Sequence, residues 1–480
     1  MKRSLKALAW AAACWLTPVQ AQAQSFVETA AYRPAAQAAS IFNTSGACAD
    51  PGCAAVDPSC AADPSCGLGE AACGSAGGAG GCGNGACGNG CNSCGRRGGL
   101  FGCCTDDPWT LKSAPGFNYG GWVQVGWQDR ADGAFTNNGP FLNQREHGNV
   151  NLNQLYTFVE KVADGTCGLD WGFRADVMYG VDGNEAQAFG NVDGGHWDYL
   201  NGFGGPNGIV PEPKQHGPYE FAAPQAYGQL ALGKLSTKFG HFYTPIGYEV
   251  VTSPSNFFLS RQLTFYNSEP FTHTGFLSTY TVSDNFNFSG GWTAGWDSGF
   301  YTYNDGSALL GGFTWVVGDK LTINNYASAG QFGWRGDGYI NSLVASLQWT
   351  ERFSTVHQFD ILETNGSVDA AGFPSGTGAP VARTSYQTNG VAGDSIGWIN
   401  YAFYQLTDCV KLGSRLEWYK ADGTSYQTFT NGVNFKLGSN MMIRPEARYM
   451  WSNDRTSLPG ANLFSNGDRL VWGCDWIFTF

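Results

Sequence analysis

The chain has 480 residues, a formal charge of −12, 15% aromatic residues and only 14% charged ones, against about 25% charged in ordinary soluble domains. The acidic balance argues against nucleic acid as a partner, which calls for basic patches, and so many aromatics beside so little charge ask for an apolar exterior. Past Leu16 there is no run of about 18 apolar residues, so no spanning helix is expected, and any passage through lipid falls to strands of a closed barrel, where closure satisfies every backbone group.

Lys2, Arg3 and Lys6 precede an apolar run from Ala7 to Leu16, and Ala21, Gln22 and Ala23 offer a small-residue cleavage site. This is the pattern of a secretory signal peptide over residues 1–23, with a mature chain starting near Gln24. A lipoprotein reading at Cys14 is disfavoured, because Ala11 stands where a large aliphatic is wanted.

Residues 24–116 form a Cys/Gly-rich low-complexity leader, in which eleven of the 15 cysteines lie between Cys48 and Cys104. It has too little apolar bulk to build a core. In an oxidising compartment its thiols are expected to form disulfides, and the odd count leaves one for intermolecular pairing, as in cross-links within an envelope layer. Cys82, Cys87, Cys91 and Cys94 could bind zinc, but no His accompanies them and their spacing matches no paired metal knuckle. A flexible, disulfide-tangled tether without a ligand is the plainer reading, and no metal or cofactor is expected.

Residues 117–480 read as an all-β, transmembrane antiparallel β-barrel of about 16 strands, from segments of about ten residues with period-2 apolarity. The strands are expected near 119–128, 150–162, 168–180, 222–233, 234–244, 271–281, 286–297 and 307–318. Eight more follow near 321–332, 341–350, 353–363, 394–407, 409–421, 425–438, 441–452 and 468–480. The third puts Leu169, Trp171, Phe173, Ala175, Val177 and Tyr179 on one face and Asp170, Arg174 and Asp176 on the other. The fifteenth separates Ile443, Ala447, Tyr449 and Trp451 from Arg444, Glu446 and Arg448. An Arg at the midplane of a lipid face costs about 2–4 kcal/mol, so the charged faces should line a lumen. The last strand alternates Leu470, Trp472, Cys474, Trp476, Phe478 and Phe480 with Gly473, Asp475 and Thr479. Its terminal aromatics resemble the C-terminal signal by which outer-membrane barrels are assembled.

The connections alternate between tight ones, as at 282–285, 318–320, 407–408 and 438–440, and long polar ones at 181–221, 245–270, 364–393 and 453–467. Such a one-sided split suits an outer-membrane barrel with its tight turns in the periplasm. Trp122, Trp127, Tyr156, Tyr179, Trp292, Trp296, Trp315, Trp349, Trp418 and Trp451 are candidates for two interfacial girdles.

The stretch 238–251 (KFGHFYTPIGYEVV), followed by Asn256-Phe257-Phe258 and the run 269–275 (EPFTHTG), resembles the beta-barrel porin family of planctomycete outer membranes. The phrases at 152–156 (LNQLY), 171–176 (WGFRAD) and 292–297 (WTAGWD) match it too. The resemblance covers roughly 119–480, leaves the leader aside, and implies fold and outer-membrane location more firmly than any solute.

By analogy with general porins of about 16 strands, 245–270 is the third long loop and should fold inward as a constriction. Val250, Val251, Phe257, Phe258, Leu259, Leu263 and Phe265 would pack on the wall, leaving Glu249, Arg261 and Glu269 near the opening. With Arg174, Asp176, Arg415, Glu417, Arg444 and Arg448 these are the pore-constriction candidates; Asp170, Lys411 and Glu446 also face the lumen by strand parity. Such charges either set a transverse field that tunes which ions pass or merely pair with one another. His241 and His273 flank the loop and are more often structural than ligands. Asp394-Ser395-Ile396-Gly397 after Gly393 matches a hydrolase elbow, but a strand-like run follows where a helix is needed, so chance explains it and no catalytic residue is expected. His357 is the one histidine that an outer-wall hydrolase would need, and it has no evident acid.

The expected function is passive diffusion of small hydrophilic solutes or ions through a water-filled barrel in outer-membrane lipid, without enzyme activity. Barrels of this size commonly form homotrimers. The rival from another class is a structural envelope protein, a plugged barrel anchoring a disulfide-cross-linked leader.

Overall fold

A computed structural model describes residues 116–129, 149–188, 198, 219–300, 302, 305–364, 394–421, 424–452 and 469–480. The signal peptide and leader expected N-terminal to this, the long connections at 365–393 and 453–468, and most of 189–218 lie outside the described residues.

Sixteen strands form one closed antiparallel barrel in which each strand pairs with its sequence neighbours and the last pairs with the first. They are β1 (Asn118–Gln128), β2 (Val150–Lys161), β3 (Asp170–Gly180), β4 (Glu220–Leu232), β5 (Leu235–Tyr243), β6 (Thr272–Ser283), β7 (Phe286–Thr293) and β8 (Ser307–Val317). The circuit continues through β9 (Leu321–Gln331), β10 (Asp337–Gln348), β11 (Phe353–Thr364), β12 (Asp394–Thr407), β13 (Val410–Ala421), β14 (Thr424–Leu437), β15 (Met441–Ser452) and β16 (Arg469–Thr479). Two short helices, α1 (Val181–Ala186) and α2 (Leu263–Ser268), lie in connections. Closure between β1 and β16 is completed by reciprocal Gly121–Phe480 backbone bonds of 2.9 Å each way. Among the described strands no edge is left unpaired, which is the condition for carrying strands through lipid.

The tight turns gather on one rim with the start of β1 and the end of β16; two residues join β4 to β5 and two join β12 to β13. The opposite rim carries the longest connections, among them 181–219, 244–271 and 365–393, together with short ones at 332–336 and 422–423. Trp171, Trp315, Trp349 and Trp476 point outward near the turn rim, and Trp127, Trp292, Trp398, Trp418, Trp451 and Trp472 point outward near the other, so the aromatic girdles have the two-belt placement of interfacial residues. Between them the outer face is apolar, with Leu230, Leu343, Phe359 and Leu416 exposed.

Three aromatics depart from the girdle expectation. Trp122 and Tyr156 sit opposite each other in register on the inner face and stack at 3.9 Å. Trp296 lies beyond β7, because the chain bends at Gly295 and Asp297 after Thr293 and turns the indole inward against Phe332. The alternation of Trp292, Ala294 and Trp296 continues through a bend that the strand does not follow. The start of β10 is also earlier than its apolar pattern indicates, at Asp337.

The wall makes a direct prediction. Leu416→Arg, on the outer face of β13, should lose about 2–4 kcal/mol of stability in lipid vesicles, whereas Asn324→Arg, on the inner face of β9, should change it little. Equal denaturant midpoints for the two variants would contradict the assigned faces.

Candidate functional site

Residues 244–271, between β5 and β6, fold back into the lumen, and every residue from Phe258 to Thr274 is buried. The hydrophobic part of the loop supplies the inward force. Val251, Phe258, Leu259, Leu263 and Phe265 are buried, while Val250 and Phe257 are half-buried. Phe258 packs among Val344, Val356, Ile399, Tyr401 and Phe403 of the wall, and Phe265 and Val251 pack with Trp122, Tyr156 and Met178 on the other side. The core of the molecule therefore lies inside the barrel, between loop and wall.

The wall has been cleared to receive the loop. A Cβ at Gly413 of β13 would stand 2.3 Å from the Phe257 ring, and one at Gly397 of β12 would meet Thr264 at 2.4 Å. Gly432 and Gly473 make similar room for Phe258 and Leu259. Gly247 within the loop has φ +91 and would place a Cβ 2.0 Å from the Glu269 carboxylate, so both conformation and space demand glycine there.

Most of the loop backbone has no ladder to join, yet it is buried, so its donors and acceptors need partners. The charged residues of the inner wall supply them. Glu417 of β13 accepts the amides of Leu263 and Thr264 at 2.9 and 2.8 Å and the Thr264 hydroxyl at 2.9 Å. Glu446 of β15 accepts the Ser260 amide at 3.1 Å. Glu249, in the loop itself, accepts the Gln262 amide at 2.7 Å.

The carbonyls face guanidinium groups. Arg415 of β13 donates to the Ser260 carbonyl at 3.0 Å and the Arg261 carbonyl at 3.3 Å, and to Glu249 Oε1 at 2.6 Å. Arg444 of β15 donates to the carbonyls of Ser253 and Asn256 at 3.0 and 2.6 Å and to Asp475 of β16 at 2.9 Å. Arg261 turns back on its own loop, reaching the carbonyls of Val250, Phe258 and Leu259 at 3.1, 3.2 and 3.0 Å. Arg335, just before β10, reaches Asn267 O at 2.9 Å. Charge-assisted bonds of this kind are roughly twice as strong as neutral ones.

The predicted residues thus divide. Glu249, Arg261, Arg415, Glu417 and Arg444 meet at the seam between loop and wall. Arg174 and Asp176 form a separate cluster on β3, where Arg174 pairs with Asp176 and Glu160 at 2.8 Å each, and Tyr156 and Gln225 donate to Asp176. Arg448 is buried in register between Thr430 and Val471. Glu269 stands apart from the arginines: Gln358 Nε2 donates to it at 2.6 Å and to Asp360 at 3.0 Å, which brings two carboxyl groups onto one amide. Burial, and then the facing Asp360 carboxyl, push Glu269 well above the ordinary carboxylate range.

Several partners carry the arrangement without being charged residues of obvious alternation. Gln154 of β2 donates to Val251 O at 2.9 Å and accepts the Ser253 amide at 3.2 Å. Gln124 of β1 donates to Asp475 at 2.6 Å. Asp297, at the bend after β7, accepts the amides of Phe271 and Thr272 at 2.7 and 2.9 Å, fixing the loop's exit. Tyr401 of β12 donates to Glu249 at 2.9 Å. The available signal is lumenal parity, shared by Gln124 with Trp122 and by Asp475 with Gly473; an amide on that face carries no charge to distinguish it from any other polar residue of the wall.

His241 and His273 are buried and bonded to Thr274 and Thr244 at 2.7 and 3.0 Å. Among the described residues no group of three or more His, Cys, Asp or Glu side chains is placed to hold a metal ion. Ser395 lies on the inner face of β12, bonded to Ser268 at 2.6 Å, whereas His357 lies on the outer face of β11, bonded to Asn400 at 2.7 Å, so the two do not meet.

A family model described as "Putative beta-barrel porin-2, OmpL-like" matches residues 116–480. Among solved structures the chain is similar to the outer membrane channel DcaP of Acinetobacter baumannii, at 10% identity and a TM-score of 0.47 over 77% of this chain and 99% of that one. It is similar to an anion-selective porin from Comamonas acidovorans at 11% identity and a TM-score of 0.45, over 76% and 99% of the two chains. A further likeness is to Salmonella typhi OmpF in complex with daunomycin, at 10% identity and a TM-score of 0.49, over 76% and 97%. No curated protein matches the chain.

The seam yields two expected outcomes. Arg415→Ala leaves Glu249 buried without its cation, a loss of about 3–5 kcal/mol in the pairing that holds the loop; trypsin should then cut after Arg261 while the parent resists. Gly413→Ala should loosen the same loop by about 1–3 kcal/mol through overpacking against Phe257. Unchanged protection of Arg261 in both would show that the loop is held by other contacts.

Proposed function

The chain belongs to this OmpL-like beta-barrel porin family, a porin-type channel of the outer membrane, and from that premise we propose that small hydrophilic solutes or ions cross it by passive diffusion, with the loop at 244–271 as the constriction. The observation that carries the proposal is the loop itself: it is held inside the lumen by wall arginines and glutamates instead of extending from the rim. A polar inner wall supports the same reading. The inner faces of β6 to β9 carry uncharged polar groups, among them Thr279, Asn287, Thr314 and Asn324, joined in pairs such as Thr314 to Asn324 at 2.8 Å. Such a surface keeps water in a bore without fixing an ion on the wall.

On this reading Glu249, Arg261, Arg415, Glu417 and Arg444 act by holding the constriction in shape, because their charges are spent on one another and on loop backbone. Arg174 with Asp176, and Arg448, remain candidates for shaping the field along the path, whereas Glu269, held toward its neutral form beside Asp360, would act there through hydrogen bonding. The signal peptide at 1–23 and the leader at 24–116 fit a protein exported and then cross-linked in an oxidising compartment, and association as a homotrimer fits a barrel of this strand number.

The depth of the loop's burial favours a second reading as well, a plugged barrel that anchors the envelope. Single-channel recording in a planar bilayer separates the two. The parent protein should show stable open steps, and the Arg415→Ala, Arg444→Ala double variant should show larger ones. Equal step sizes would remove the loop from the constriction, and a folded but silent parent would favour the anchor.

A further inference from the structure

Three cysteines stand among the described residues: Cys167, Cys409 and Cys474. Cys474 is free and lies on the outer face of β16. Cys167, in the connection between β2 and β3, and Cys409, in the turn between β12 and β13, are both disulfide-bonded. Both connections belong to the turn rim, where the chain enters β1: Asn118 pairs with Glu160 near the end of β2, next to the Cys167 connection.

These two cysteines cannot be bonded to each other. Strands about 4.8 Å apart and tilted about 40° give a barrel of this strand number a diameter of about 32 Å. Six strands separate the two connections by the shorter way round, through β1 and β16, so they stand about 30 Å apart across the rim. A disulfide needs Cα atoms about 4.4–6.8 Å apart. With Cys474 free, their partners lie outside the described residues. There the sequence offers the eleven cysteines from Cys48 to Cys104, besides Cys14. Cys104 precedes Asn118 by fourteen residues, and an extended chain of that length reaches about 45 Å, enough to meet either connection from the start of β1.

We infer that the cysteine-rich leader is fastened to its own barrel at two points on the turn rim, by disulfides from Cys167 and Cys409 to cysteines within Cys48–Cys104. In each, two S–H bonds give way to one S–S bond, and the two electrons reduce the disulfide of a protein thiol oxidase in the oxidising compartment by thiol–disulfide exchange. The inference goes beyond the diffusion reading and does not depend on it, since a silent barrel could be fastened in the same way. It also adds to the expected role of the leader. Two ties to the rim would leave nine of the eleven leader cysteines for bonds within the leader or to neighbours, so attachment to its own barrel would come in addition to any cross-linking.

The full-length protein, extracted in detergent with free thiols blocked, provides the test. Peptide mapping without reduction should recover the Cys167 and Cys409 peptides joined to leader peptides of the same copy. Their recovery as blocked thiols, or joined across copies in an isotopically mixed preparation, would overturn the inference. Independently, a site-specific protease sequence placed between Lys112 and Gly116 should cut without releasing the leader until a thiol reductant is added. The Cys167→Ser, Cys409→Ser double variant, its barrel checked by heat-dependent gel mobility, should release the leader on cutting alone. Release from the cut parent without reductant, or retention by the folded double variant, would count against it.

Discussion

Every buried backbone donor and acceptor in this molecule must find a partner, and that one requirement organises it at two scales. In the wall the requirement is met by closure, each strand bonding two neighbours and the last returning to the first. In the loop it is met by charge. The 244–271 segment enters the barrel because its aromatic and aliphatic residues have a wall to pack on, but entry strands its amides and carbonyls away from water and from any ladder. Glutamates answer the amides and arginines answer the carbonyls, most of them from strands whose alternation already turned the side chain inward, joined by Glu249 and Arg261 of the loop itself. The lumenal charges are thus explained by the loop as much as by the water.

This sets limits on how the barrel can vary. A buried ion pair contributes little net stability against an apolar replacement but is costly to break, so the wall charges specify where the loop sits more than they deepen the native state. The glycines beneath Phe257, Thr264 and Phe258 act in the same sense, since each side chain removed from the wall is a shape reserved for one loop residue. The uncharged arc from β6 to β9 carries no such reservation.

Much of the architecture is legible in the sequence because lipid outside and polar groups inside impose a strict period of two. Strands β3 and β15 show it most plainly, with Trp171, Val177 and Tyr449 outside and Arg174, Arg444 and Arg448 inside. Where the signal misleads, a local bend has cut across it: at 294–297 the alternation persists, but Gly295 and Asp297 adopt positive φ and Trp296 turns inward. Trp122 and Tyr156 have the right chemistry for a girdle but the wrong parity, and their inward stacking follows from register. Partner choice is the least legible layer. That Arg415 would meet Glu249, and Arg444 the carbonyls of Ser253 and Asn256, depends on how a loop lies across strands more than 150 residues away in sequence, as the 166 residues between Glu249 and Arg415 illustrate.

Asp475 receives Arg444 from β15 on one side and Gln124 from β1 on the other, so a single carboxylate straddles the joint at which the sheet closes. A sheet without edges has one natural place to tear, the seam between its first and last strands, and here that seam carries a latch on its inner surface. Tearing it would part the buried Asp475 carboxylate from the Gln124 amide across the seam. Opening at this seam would therefore have to break a bond to a buried carboxylate on its inner surface as well as the backbone ladder along its length.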